Sequence, residues 1–386
     1  MINDMAGTLV LIASSAAAAI GLFAAAQLGI RRDWRTAPAT ALGVFLLLSA
    51  LSGIDLILER TGVYAAAPAM TGVLWTSSLF LGPAILAYVV AMTGEPGRGW
   101  TPARVGRLAW PAIVAVVLAL PFFLLPSRMR LAVYTGEGAG LDGRIGLVQL
   151  AFVALFLVVM LGYLAAAFRV LGRHVRRVRD LFSNIEDRTL SWLRVLLLVM
   201  LAAWIWGAIK SGLGFGTAQS AWMEFAAATV ELCWIAAIGL FGLAQKPIFT
   251  VQTETPRALP AQGKYARSAL PETRQIEIAG RLEKAMRAER LYRDPLLSLS
   301  ALATRVAVSP NHLSRVLNDH LGQSFFDYVN RWRVEDAIAR IRDGDEPILT
   351  IAFDVGFNSR STFNAAVRKH TGRAPSAFRP EPRPAP

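Results

Sequence analysis

The chain has 386 residues, 54% of them apolar and only 17% charged, with a formal net charge of +13. A soluble domain carries roughly 25% charged residues, so this balance points to a membrane, and the length suggests two or three domains. A single cysteine, Cys233, excludes an intramolecular disulfide framework and a thiolate metal cluster, and its apolar surroundings predict a buried, inert thiol.

Seven apolar runs fill the first 245 residues: Leu9–Ile30, Pro38–Leu58, Ala69–Met92, Leu108–Leu125, Ile145–Leu171, Leu190–Leu213 and Trp222–Ala244. Each approaches or exceeds the ~20 residues a helix needs to cross hydrocarbon. Backbone groups there must be satisfied internally, so helices are expected. The fourth run is short and holds Pro111 and Pro121. The leader "MINDMAG" has an Asp and no Lys or Arg, unlike a secretory signal, so the first run reads as a retained helix with an outside N-terminus. Seven crossings then place 11 arginines in inside loops (31, 32, 35, 98, 104, 107, 173, 176, 177, 179, 188) against 4 outside (60, 128, 130, 144). That bias obeys the positive-inside rule and puts the C-terminal part in the cytoplasm of a bacterial inner-membrane protein. The basic loop before Leu190 could also meet anionic lipid heads.

Four ionisable residues lie in or near these runs: Asp55, Lys210, Glu224 and Glu231. Charge in hydrocarbon is costly and defaults to a functional reading, here sensing. Counting 1.5 Å per residue places Asp55, Lys210 and Glu224 near the outer face and Glu231 deeper. The plainer reading is that the outer groups snorkel to the interface and Lys210 pairs with a Glu.

Residues 246–273 are polar, contain proline and read as a linker. A soluble helical segment is expected over 274–380, followed by a short tail at 381–386. From Arg257 onward there are 21 Lys or Arg against 14 Asp or Glu, a balance that suits a polyanion.

Within that segment "LATRVAVSPNHLSRVLNDHLG" (302–322) and "IAFDVGFNSRSTFNAAVRKHTG" (351–372) are two copies of helix, turn, helix. They start 49 residues apart and differ by one residue in length. Small Ala303 and Ala352 allow close helix crossing. Gly356 can take the left-handed conformation of a tight turn. Ala307 holds the matching place, so that turn is either less demanding or strained. Ser309 and Asn358 are the expected N-caps. Gly322 and Gly372 are the expected stops. Between the copies, Ser324 and Asp327 resemble a capping box. They open a helix of about 18 residues that contains Trp332 and ends at Gly344.

The carrying residues, "LSLSALATRVAVSPNHLSRVLN", the "GF" turn of "ILTIAFDVGFNSRSTFNAAVRKHTGRAPSAFR" and its closing Pro375, Ser376, Phe378 and Arg379, resemble the DNA-binding domain of AraC/XylS-type transcription regulators. The layout as a whole is similar to membrane-integrated members of that family. The resemblance implies an all-α chain, with a seven-helix membrane bundle followed by two helix-turn-helix units on a linker helix. It implies base contacts from Asn311, Ser314, Arg315, Asn318, Arg360, Ser361 and Asn364. Arg grips guanine bidentately and Asn grips adenine, while Ala365 offers only a methyl. Arg331, Arg368 and Lys369 are expected on phosphates.

The partners expected are double-stranded promoter DNA, the lipid bilayer, a small-molecule or physical signal, and a second copy in a homodimer. The four histidines (174, 312, 320, 370) pair with no further ligand at metal spacing, so no metal and no cofactor are expected. Phosphate-binding loops and nucleophile elbows are missing, so no catalytic residue is assigned and an enzyme is not expected. The competing assignment is a transporter or receptor whose cytoplasmic tail binds a protein.

Overall fold

The computed structural model describes residues 2–30, 36–94, 100–135, 143–213, 218–244 and 271–379. Among these residues every regular element is helical, as expected, and the only strand-like pairing is an isolated bridge between Phe182 and Ser298. The chain divides into two compact units: Met1–Gly172 with Leu190–Thr250, and Arg173–Thr189 with Val251–Pro386. The predicted linker, save residues 271–273, and the predicted tail lie outside the described residues.

The first unit holds α1 (Ile2–Ile30), α2 (Ala37–Arg60), α3 (Val63–Ala66), α4 (Trp75–Ser78), α5 (Leu81–Thr93), α6 (Pro102–Phe123), α7 (Ser127–Thr135), most of α8 (Gly143–Leu181), α9 (Ser191–Leu213) and α10 (Ala218–Ala244). Among the described residues, six stretches are long and apolar enough to cross a membrane: Met5–Ile30, Ala37–Arg60, Pro68–Thr93, Pro102–Phe123, Leu150–Leu181 and Trp222–Gly242. The sixth predicted run forms α9, whose apolar stretch over the described residues, Ser191–Gly207, is shorter. The third opens on a 3-10 turn at Pro68–Met70 and is interrupted by turns on either side of the short α4 before α5 begins.

The unit is apolar both inside and outside. Phe45 and Leu46 are buried, while Phe23, Val158 and Leu240 are each about two-thirds or more exposed, at 66%, 71% and 70%. Helices α1 and α2 approach closely through small residues. A Cβ on Gly21 would lie 3.1 Å from the Leu46 carbonyl oxygen, and one on Gly53 3.4 Å from the Ala18 Cβ. Cys233 is exposed rather than buried. It shares a helix face with the exposed Val230 and Leu240, so its apolar surroundings are an outward stripe and not a core.

The second unit holds α11 (Glu272–Glu289), α12 (Leu299–Arg305), α13 (Pro310–Arg315, continued by a π turn over Val316–His320), α14 (Phe325–Asp343), α15 (Ile348–Asp354) and α16 (Arg360–Thr371). It contains two apolar cores. One gathers Leu282, Leu302, Leu313, Leu317, Phe325 and Val329. The other gathers Val334, Ile341, Ile351, Phe357, Phe363 and Val367. Helix α14 feeds both, its first half into one and its second half into the other. The Ser324 hydroxyl caps α14 by accepting from the Asp327 amide at 3.2 Å, as the box predicts. A single helix with two apolar patches therefore carries two helix-turn-helix units.

Candidate functional site

The two repeats close by the same hydrogen bond. The Ala303 carbonyl accepts from the Val308 amide at 3.0 Å, and the Ala352 carbonyl accepts from the Phe357 amide at 3.0 Å. Both alanines are fully buried, where a larger side chain would hold the helices apart. Gly356 has φ +101° and Ala307 has φ +54°, so the first turn does place an L-residue in left-handed backbone. That conformation costs Ala roughly 1–2 kcal/mol.

The N-caps are Ser309, accepting from the His312 amide, and Ser359, accepting from the Thr362 amide. Ser359 replaces the expected Asn358. The one-residue excess of the second repeat falls in its turn, which moves the helix start one place along. Glycines 322 and 372 sit at φ +64° and +72°, as helix stops require.

Behind each second helix the apolar side is buried: Leu313, Val316 and Leu317 in one, Phe363, Ala366 and Val367 in the other. Asn311 and Asn318 face outward, with Ser314 and Arg315 half-buried beside them. Arg360, Ser361 and Ala365 face outward, with Asn364 half-buried. All seven predicted base-contacting residues therefore lie off the core side. Asn318 donates to the Ser314 hydroxyl at 3.3 Å, so these two present a joined polar edge. Of the predicted phosphate residues, Arg368 is exposed. Lys369 is held by Asp327 at 2.6 Å. Arg331 lies over the rings of Tyr328 and Trp332 at 5.5 and 5.8 Å. Trp332 itself stacks on Tyr292, with ring centroids 6.1 Å apart.

Three further residues, Arg333, Ser183 and Glu186, organise the unit and escape sequence reasoning. Arg333 is 1% exposed. It donates to the carbonyls of Tyr292 (2.7 Å), Asp294 (2.8 Å) and Ser183 (3.3 Å) and to the Ser183 hydroxyl (3.2 Å). Burial pushes its guanidinium down to about 10, partly offset by Asp294, and it stays protonated at neutral pH. Ser183 belongs to the segment after α8. That segment is pinned again where the Ser183 amide and hydroxyl donate to the Leu297 carbonyl, at 3.2 and 2.7 Å. Three residues on, the Glu186 carboxylate accepts from the hydroxyls of Ser359 and Thr362, at the start of α16. The signal for Arg333 was its helical phase. It lies four residues from both Val329 and Ala337, on the apolar side of α14.

In the first unit, Asp55, Glu224 and Glu231 line one cavity of about 550 Å³. Asp55 is 5% exposed, and the hydroxyls of Tyr64 and Tyr134 donate to its two oxygens. Glu224 is ion-paired with Arg60. Glu231 makes no hydrogen bond or ion pair among the described residues. The side chain of Lys210 lies outside the described residues. Nowhere among the described residues do three or more His, Cys, Asp or Glu gather to hold a metal ion.

A helix-turn-helix domain family matches residues 302–381, the two repeats and their linker helix. An AraC-like transcription regulator of Streptomyces antibioticus is 34% identical over 96 residues, 24% of this chain and 32% of that protein. A second such protein, of Streptomyces lividans, is 34% identical over 94 residues, 24% of this chain and 31% of its own. The transcription factor PqrA of Proteus vulgaris is 32% identical over 89 residues, 23% of this chain and 73% of that protein. The match thus spans about a third of the two Streptomyces proteins and nearly three-quarters of the Proteus one. No solved structure matches the chain. Two matched helix-turn-helix units on one helix, with this sequence likeness, show that the chain belongs to the AraC-type DNA-binding transcription regulators.

Proposed function

We propose that the chain is a membrane-held, one-component regulator. In this reading the apolar helices sit in the bacterial inner membrane and receive a signal, and the C-terminal unit reads promoter DNA on the cytoplasmic side. The observation that carries it is the joining, in one chain, of a paired helix-turn-helix unit to six helices of membrane-crossing length. The outward Phe23, Val158 and Leu240 support immersion, because large exposed apolar surfaces are unfavourable in water. The arginine bias of the loops supports an outside N-terminus. The cavity around Asp55, Glu224 and Glu231 is the site proposed to receive the signal.

Asn311, Ser314, Arg315, Asn318, Arg360, Ser361 and Asn364 are proposed to meet base edges. Arg331, Arg368 and Lys369 are proposed to meet phosphates, Lys369 after leaving Asp327. The test is footprinting with the full chain in lipid nanodiscs on fragments selected from a genomic library. Arg315→Ala is expected to cost about 1–3 kcal/mol and to relax preference at one base position. Arg368→Ala is expected to weaken all fragments alike and to lower the salt slope by about one. A sequence preference that Arg315→Ala leaves unchanged removes Arg315 from the reading face.

A further inference from the structure

The cavity in the first unit has a marked chemistry. Among the described residues, four carboxylates (Asp55, Glu59, Glu224, Glu231) line it against one guanidinium, Arg60. Its walls are aromatic, with Trp75 edge-on to Phe152 at 5.2 Å and Phe156 edge-on to Trp204 at 5.7 Å. Both oxygens of Asp55 are held by phenols, which orient the carboxylate without cancelling its charge. Glu231 has no partner at all among the described residues, although a lone carboxylate in an apolar helical bundle is costly.

We propose that this cavity binds an organic cation with an apolar or aromatic body. The positive centre would sit by Glu231 and Asp55, and the body would sit against the tryptophans, whose faces attract cations. An anion of equal size meets the same walls and the wrong charge. This ligand class rests on the sensing role proposed above, and the two are separable by experiment.

The probe is tetraphenylphosphonium, compared with its near-isosteric anion tetraphenylborate. Equilibrium binding is measured on the full chain in zwitterionic nanodiscs, with empty nanodiscs as background. The cation is expected to bind saturably and the anion not. Asp55→Asn with Glu231→Gln is expected to weaken the cation at least tenfold. Equal binding of both ions, or unchanged cation binding by the double variant, overturns the proposal. Saturable cation binding that leaves a promoter reporter unmoved upholds the ligand class and removes the sensing role.

A second inference rests on separate observations. The segment 182–188 is moored to the second unit by Arg333 and by Leu297. It is braced by the contact of His174 Nε2, on α8, with the Arg188 carbonyl at 2.8 Å and by Arg188 over the Phe182 ring at 3.7 Å. Its Glu186 engages the hydroxyls of Ser359 and Thr362, one at the N-cap and one in the first turn of α16. In helix-turn-helix docking the N-terminal end of the second helix faces the duplex. Helix N-termini also attract phosphate. A carboxylate placed there occupies the anion position and repels the DNA backbone.

We infer that Glu186 is an autoinhibitory contact, a resident anion that must leave before α16 can seat on DNA. Residues 302–381 carry the family likeness, and Glu186 lies outside them. The test measures affinity of the full chain in nanodiscs for a random-sequence duplex at low salt. Glu186→Gln, which keeps the shape and removes the charge, is expected to tighten binding at least fivefold. Glu186→Ala is expected to move it in the same direction, while hydrogen exchange shows α16 still protected. Unchanged or weaker binding by both variants overturns the inference.

Discussion

Gly356→Val is expected to unfold the second helix-turn-helix and abolish DNA binding while leaving the apolar helices of the first unit intact. The backbone at Gly356 has φ +101°, a conformation that β-branched residues avoid. A Cβ there would lie 2.7 Å from the Arg293 carbonyl oxygen and 2.8 Å from that of Tyr292. Both contacts are backbone and cannot swing aside. Local strain of about 1–3 kcal/mol adds to overpacking of about 1–3 kcal/mol. The sum is a large part of a domain's usual stability of roughly 5–15 kcal/mol. Hydrogen exchange on the full chain checks this directly. Protection over 348–371 is expected to collapse and that of α1 and α2 to remain. Gly356→Ala is expected to act in the same direction, more mildly.

Arg333→Met is the second large effect. The substitution keeps much of the volume, but it strands the carbonyls of Tyr292 and Ser183 in a buried place and that of Asp294 in a part-buried one. Each stranded polar group costs about 1–3 kcal/mol, so a loss of about 3–5 kcal/mol is expected. The fork of a guanidinium reaches several acceptors at once, and an ammonium does not, so Arg333→Lys is expected to recover less than half. Limited proteolysis should show the loss first in residues 173–189, whose Ser183 keeps its bonds to Leu297 but loses those to Arg333. A variant as resistant as the parent would mean that Arg333 carries little of the mooring.

The local features were legible from residue types alone. Ala303, Ala352, Gly356 and the Ser324 cap each stand where a backbone demand can be met by few residues, and pattern reading finds such places. The Ser359 cap was missed because Asn358 and Ser359 are both good capping residues. Only the length of the turn decides between them. Arg333 and Arg331 are both arginines on α14, and charge alone led to Arg331. The helical phase, which puts Arg333 level with Val329 and Ala337, was the better guide.

The docking of 173–189 left no local trace. It depends on hydrogen bonds between residues about 115 to 175 positions apart, such as Ser183 with Leu297 and Glu186 with Thr362. No periodicity encodes those pairings. The carboxylates of the first unit were visible as charges out of place, but Tyr64 and Tyr134 as the partners of Asp55 were not. They come from separate helices, and only the fold brings them together.

The central claim is that a chain resident in the membrane binds particular promoters. Chromatin immunoprecipitation of the full-length protein from its own cells, with the membrane fraction assayed in parallel, tests it most directly. The expected result is a short set of sharp promoter peaks that vanish in Arg315→Ala with Arg360→Ala, while the amount of protein in the membrane fraction stays constant. A chain found in the membrane with no enriched promoter, or a chain recovered in the soluble fraction, would contradict the account.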